Sequence, residues 1–199
     1  MKKIVPLILL VLLISTTGCT AVRIDTKDLD NIVDVVLSKD NALYNHIGKG
    51  YKYYIPRGVT YIDTIEYNDK LFSEGNYYYL YIDAISYFYQ KEVKMEKSKD
   101  SFYYKEININ NKKGYINITK KENKYLVEFM YNYAKIESLV SKEKINSVIL
   151  NSSYILSTVK FNNNVIKLML DEDYFKYKEE KFELFENPEP KDNFLEYSE

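Results

Sequence analysis

The chain has 199 residues, with 28 Lys and Arg against 29 Asp and Glu, so neither sign dominates and no electrostatic footprint for nucleic acid or an anionic membrane surface is present. A single cysteine and a single histidine, His46, exclude thiolate–imidazole sites of the zinc type, and no metal or other cofactor is expected. The 22 tyrosines are the unusual feature; Lys, Asn, Ile, Tyr and Phe all have AT-rich codons, which accounts for more of this than a tyrosine-rich binding surface would.

Lys2 and Lys3 form a short positive start, and the stretch from Ile4 to Ile14 then runs without a charge. It is too short to span a bilayer core of ~30 Å, which needs ~20 apolar residues in a helix. A basic start, an apolar run of this length and small residues after it match a secretory signal. The run ends in "STTGCT", Ser15 to Thr20, which holds the only cysteine. Here the segment resembles the signal of bacterial lipoproteins, in which a small residue precedes an obligatory cysteine. The resemblance implies cleavage between Gly18 and Cys19 and diacylglyceration of the Cys19 thiol. Thr16 departs from it, since the family usually has Leu three places before the cysteine. Acylation also explains a lone thiol in an exported chain, which has no intramolecular disulfide partner.

On this reading residues 1–18 are removed, 19–26 form a lipidated tether, and 27–199 form one α+β domain. Removal of the first 18 of 199 residues leaves 181, enough for a proper core. Loss of Lys2 and Lys3 leaves 26 basic against 29 acidic residues.

Thr26 is the expected cap of a first helix, with Leu29, Ile32, Val33 and Val36 at amphipathic spacing. Asn41 to Gly50 is expected to be a loop. "YKYYIPRG" predicts a short strand closed by Pro56 and Gly58. "NYYYLYIDAISYFYQ", residues 76–90, predicts the longest strand, broken by the charged run Lys91 to Asp100. Alternation places Leu80, Ile82, Ala84 and Phe88 on one face and Tyr77, Tyr79, Tyr81, Asp83 and Tyr87 on the other. "FYYKEININ", "GYINITK" and "KYLVEFMYNYA" predict three more strands, the last two a hairpin about "KKENK". "SKEKINSVILNSSYILSTV" predicts a long helix with Ser141 as cap. Its apolar stripe is Ile145, Val148, Ile149, Ser152, Ile155, Leu156 and Val159. "FNNN" ends it, and a charged, aromatic tail follows in which Phe194, Leu195 and Tyr197 are candidates for docking on the domain.

The fold class expected is therefore α+β, an antiparallel sheet covered by an N-terminal helix and a long amphipathic helix near the C-terminus. "YKYYIPRGV", a mid-chain hairpin and a late helix carrying "ILSTVKF" are similar to the Mog1/PsbP-like family over Gly50 to Phe161. That resemblance implies a non-enzymatic accessory or binding role and carries over no catalytic residue.

Candidate chemistry is sparse. No G-x-S-x-G elbow accompanies His46, which is expected to be a surface or turn residue. Asp171, Glu172 and Asp173 lack calcium-loop spacing and fit a solvated acidic turn. Tyr77, Tyr79, Tyr81 and Tyr87 are the candidate binding surface for sugar rings or a protein partner, with burial beneath a helix as the favoured alternative. The expected function is that of a lipid-anchored, extracytoplasmic binding or accessory protein, not an enzyme. It would be held to the cell membrane through Cys19, with an envelope protein or glycan as partner. The alternatives are an envelope hydrolase acting on cell-wall glycan, recognisable by two facing carboxylates or by His46 bonded to a serine and an acid, and a small solute-binding lipoprotein.

Overall fold

The computed structural model describes residues 24–65, 68–93, 97 and 99–171. Gly18, Cys19, Glu172, Asp173, Phe194, Leu195 and Tyr197 lie outside them.

Helix α1 spans Leu29–Leu37 and buries Ile32, Val33 and Val36 of the face that the periodicity predicts, together with Leu37, while Leu29 at its start is only partly buried. Its cap is Asp28, not Thr26. The Asp28 carboxylate accepts from the Asp30 amide at 3.0 Å, whereas the Thr26 carbonyl accepts from Asn146 Nδ2 at 2.7 Å. The segment leading into the domain is thereby fastened to the start of the long helix.

The expected loop after α1 holds a short strand, β1 (His46–Ile47), which pairs with β2 (Tyr51–Tyr53). Two strands that the sequence reading did not place follow, β3 (Thr60–Ile65) and β4 (Asn68–Ser73). Strand β5 (Asn76–Ile82) then stops well short of the expected end. Asp83 terminates it by accepting from the Ser86 amide at 2.8 Å, which caps helix α2 (Ala84–Phe88). Ala84, Phe88 and Tyr87 are therefore helical, and the face assignment made for them as strand residues does not hold.

Strands β6 (Ser101–Ile109), β7 (Lys112–Lys121) and β8 (Lys124–Tyr131) lie where they are expected, and β7–β8 is the expected hairpin. "KYLVEFMYNYA", however, is not one strand. Asn132 and Tyr133 both take positive φ (51° and 62°), and the chain turns back as β9 (Ala134–Val140). Two consecutive left-handed residues are the geometry of a type I′ turn, whose twist suits a two-residue hairpin. Glu74–Gly75 and Asn110–Asn111 turn in the same way.

A 3₁₀ turn (Lys142–Lys144) leads into helix α3 (Ile145–Thr158). Every residue of its predicted stripe is buried. Ser141 precedes the 3₁₀ turn, and its side chain does not cap it. Strand β10 (Lys160–Phe161) and a further helix, α4 (Asn163–Asp171), occupy what the sequence suggests is the start of an irregular tail.

Two antiparallel sheets result: β1-β2-β10, and a seven-stranded sheet in the order β3-β4-β5-β9-β8-β7-β6. The α+β class with an antiparallel sheet is as expected. One face of the large sheet presents Leu71, Tyr78, Leu80, Ile136, Val127, Phe129, Ile116 and Ile118 to the core. Helices α1 and α3 and the small sheet supply the opposing Ile32, Val33, Val148, Ile149, Tyr51 and Tyr53. The edge strand β3 is exposed along its whole length and carries Asp63, a charge of the kind that discourages edge-to-edge pairing.

Within α3, the buried Ser152 Oγ has no hydrogen-bond partner among the described residues. Its neighbour Ser153 donates to the Ile149 carbonyl and is satisfied. A buried unpaired hydroxyl costs about 1–3 kcal/mol. Ser152→Ala should therefore raise the free energy of unfolding by about 1 kcal/mol, measured by urea titration, while Ser153→Ala should not.

Candidate functional site

Two groups of side chains stand out from the core. The first is built on strand alternation. With Tyr78, Leu80 and Ile82 committed inward, Tyr77, Tyr79 and Tyr81 must project from the other face of β5. Among the described residues no helix covers that face: α1 and α3 pack on the opposite side, and Tyr77 and Tyr79 are 38% and 40% exposed. Tyr81 is half-buried on the same face. Tyr87 does not join them; it lies on α2 and stacks on Phe161 with ring centroids 3.9 Å apart.

The register adds residues that sequence reading did not find. Tyr79 faces Glu137 and Tyr81 faces Lys135 across β5–β9. Glu137 in turn faces Glu128, and Lys135 faces Met130, across β8–β9. Beyond these, Asn117 pairs with Glu128 and Tyr115 with Met130. The outer face thus runs from tyrosine through a lysine and two glutamates to Tyr115. Lys135 is only 2% exposed, forms an ion pair with Glu137, and lies 5.2 Å from the centre of the Tyr81 ring. On the other side of the tyrosines, the Lys70 ammonium sits 4.3 Å from the Tyr77 ring centre.

Burial pushes the phenols of Tyr81 and Tyr115 above their ordinary value. Glu137 adds to the effect for Tyr81, and Glu128 followed by Glu137 does so for Tyr115. Both hydroxyls stay protonated and are available as donors. Glu128 is raised as well, first by burial; the hydrogen bond from Asn117 Nδ2 at 2.8 Å acts against this, and the charge of Glu137 adds to it. Chemically the face offers aromatic planes, neutral phenol donors, and a carboxylate pair of which one member, Glu137, is neutralised by a lysine.

The second group surrounds Asp69, which points inward from β4 and is 1% exposed. Tyr51 and Tyr53 donate to its Oδ2 at 3.0 and 2.8 Å, and Thr64 donates to Oδ1. Tyr61 and Thr64 share a further hydroxyl–hydroxyl bond at 2.6 Å. His46 stands in this group and is not a turn residue. Its ring lies against Tyr53 and Tyr61, with centroids 4.9 and 4.6 Å away, and Nε2 is 3.6 Å from Asp69 Oδ2. That distance exceeds a hydrogen bond. A threonine, not a serine, bonds the acid, so the constellation for Ser-His-Asp nucleophilic catalysis is not assembled here. The Tyr53 phenol is pushed far above its ordinary value, by burial first and then by the Asp69 charge, and serves as a fixed donor.

No family model matches the chain, and no curated protein or solved structure matches it either.

Two outcomes test these assignments. Asp69→Ala would remove the acceptor that two buried phenols, Tyr51 and Tyr53, and the more exposed Thr64 hydroxyl share, and a hydrogen bond to a charged group contributes roughly 1.5–3 kcal/mol. Unfolding free energy should fall by about 3 kcal/mol or more, with Tyr61→Phe much milder. For Glu128, a carboxyl whose folded value lies above its unfolded one holds extra proton in the folded state. Stability is therefore lost as pH rises from the ordinary carboxylate range through the raised value. Glu128→Gln keeps an acceptor for Asn117 and should raise the melting temperature at pH 7, with little change at pH 4. A pH series of thermal melts reads both signs.

Proposed function

We propose that the protein is a lipid-anchored, extracytoplasmic binding or accessory component of a bacterial cell envelope, held to the membrane through Cys19. The observation that carries this reading is the Gly18-Cys19 pair closing an uncharged apolar run behind two lysines. Long acyl chains on Cys19 would each add ~0.8 kcal/mol of membrane affinity per buried CH₂, enough together for durable anchoring. The chain enters the domain through Ile24, which packs against the core, and the Thr26–Asn146 contact. Among the described residues no helix is long and apolar enough to cross a membrane.

The ligand-binding surface in this reading is the outer face of the large sheet, with Tyr77, Tyr79 and Tyr81 at its centre. Half-exposed tyrosines suit the stacking of a sugar ring or the grip of a protein partner. Their position on a rigid strand supports the reading further, since little side-chain entropy is lost on contact.

One observation favours a second reading, a glycan-directed hydrolase. Glu128 and Glu137 stand directly opposite each other on adjacent strands, and burial raises the first while Lys135 pairs with the second. A raised acid beside an ionised carboxylate is the division of labour in glycoside hydrolysis. Release of reducing ends from purified cell wall by the wild type, abolished in both Glu128→Gln and Glu137→Gln, would establish it in place of the binding role.

For the principal reading, labelled palmitate should enter the wild-type chain expressed in a bacterial host, and Cys19→Ala should abolish both label and membrane partition. Absence of label in the wild type would overturn the anchoring. Tyr77→Ala combined with Tyr79→Ala should lower crosslinking to the envelope partner without shifting the melting temperature by more than a few degrees.

A further inference from the structure

The end of the molecule opposite the tether carries two grooves separated by a stack of rings. Strand β7 runs from Lys112 to Lys121 and helix α3 from Ile145 to Thr158. The tether contact at Asn146 marks one end, and Lys112, Lys113 and β10 mark the other. There, Tyr87 packs face to face with Phe161 and edge-on against Tyr133. A groove of about 370 Å³ opens on the Tyr87 side and one of about 760 Å³ on the Phe161 side.

The lining of these grooves is one-signed. Lys91, Lys112 and Lys113 line the first, with Glu92 the only carboxylate among the described residues. Lys49, Lys52 and Lys160 line the second, where no described residue supplies a carboxylate; Lys49 already has a partner of its own. Asp40, outside both grooves, reaches Lys160 at 3.1 Å but is largely in solvent. Among the described lining residues, and leaving Lys49 aside, five lysines stand against one acid, in contrast with the near balance of the whole chain, 28 basic to 29 acidic residues. The lysines also feel one another across the ring stack: Lys112 is held below the ordinary lysine value by burial first and then by the charge of Lys160, with the charge of Asp40 acting against both. Bringing like charges together opposes folding unless a counter-charge arrives. Lys52 is held in place over the Tyr44 ring, 3.8 Å from its centre, which reduces the entropy lost when it meets a ligand.

From this arrangement we infer that the two lysine-lined grooves flanking the Tyr87–Phe161 stack form one binding surface for a linear, phosphate-bearing polyanion. A single small anion would engage one groove; the positive charge on both sides of the stack calls for a ligand long enough to cross it. Lysine is a point-charge partner for phosphate and needs no bidentate geometry. Charge of this kind also accelerates encounter with a polyanion and makes binding fall as salt rises. The inference does not rest on lipidation of Cys19, since the grooves are formed by described residues alone, and an unlipidated chain tests it.

One competitor is present in the chain itself. Residues 172–199 carry ten acidic and four basic side chains, and they begin just beyond α4, whose Met169 lines the larger groove. The experiment therefore uses the full chain from Cys19 and two readouts. Medium-chain inorganic polyphosphate is titrated by calorimetry, with orthophosphate, poly-glutamate and neutral dextran in parallel. Polyphosphate should bind at least about tenfold more tightly than the other three and weaken steadily with added salt. Lys52→Gln combined with Lys112→Gln should weaken it by about tenfold, whereas Lys121→Gln combined with Lys124→Gln, at the tether end, should not. Circular dichroism checks that both variants are folded. Equal loss in the two variants, equal binding of poly-glutamate, or binding no better than dextran overturns the proposal. Zero-length carbodiimide crosslinking supplies the second readout: bonds from Lys52, Lys112 or Lys160 to acids in 172–199 that persist under saturating polyphosphate would assign the surface to the tail instead.

Discussion

A carboxylate removed from water must be met by donors, and the way this chain meets Asp69 determines how its first half is assembled. A buried ionised group without partners costs several kcal/mol. The partners of Asp69 come from three other strands: Tyr51 and Tyr53 from β2, Thr64 from β3, and the imidazole of His46 from β1 at longer range. The small sheet is thereby fixed over the β3–β4 margin of the large one, and the tyrosines that reach the acid are also core residues, with Tyr53 fully buried. Tyrosine makes this arrangement workable, because one side chain fills apolar volume and delivers a donor at its far end. The abundance of tyrosine in the sequence, whatever its codon origin, is used structurally.

The same property separates the two faces of the large sheet. Inward, Tyr78 and Tyr131 are buried with their hydroxyls bonded to Asn151 and to the Ile109 carbonyl. Outward, Tyr77 and Tyr79 stand beside Lys70 and are left half open. With both helices that cover the sheet on the inner side, the outer face has to be stabilised laterally. Lys135, Glu137, Asn117 and Glu128 do this through an ion pair and an amide–carboxylate bond along adjacent strands. A polar network of this kind lets Lys135 reach 2% exposure with no helix among the described residues packed above it.

How much of this was legible in the sequence depended on the type of signal. The stripe of α3 follows from spacing alone and is met residue by residue, and the burial of α1 is met at Ile32, Val33 and Val36, while Leu29 is only partly buried and Leu37 joins the core unpredicted. Alternation likewise assigned Tyr77, Tyr79 and Tyr81 to one face. It failed at Tyr87 because "AISYF" has the composition of a strand while Asp83, two places beyond Tyr81, acts as a helix cap. The cap signal was readable, since Asp is a favoured N-cap, but the aromatic run outweighed it. The β8–β9 turn lacked the usual mark, for Asn132 is followed by Tyr133 and not by glycine, and positive φ in a bulky residue is uncommon. Missing that turn concealed the register that sets Glu128 against Glu137. No local pattern connects His46 to Asp69, 23 positions away, and only the fold brings them together.

These placements also bear on how the molecule would stand if it is tethered through Cys19. The chain enters beside Asn146, at the end of the sheet that carries the β7–β8 turn, and the strands run away from that point. The tyrosine face then lies along the side of the molecule, open to a partner in the same membrane plane. The lysine-lined grooves lie at the far end, about the length of a ten-residue strand further out, or roughly 30 Å. Surfaces so separated, one aromatic with a neutralised carboxylate pair and one cationic, have no charged residue in common and need not compete for the same ligand. If Cys19 carries the lipid, membrane, lateral face and outer end would each meet a different chemistry, so that a ligand held at one would leave the other two free.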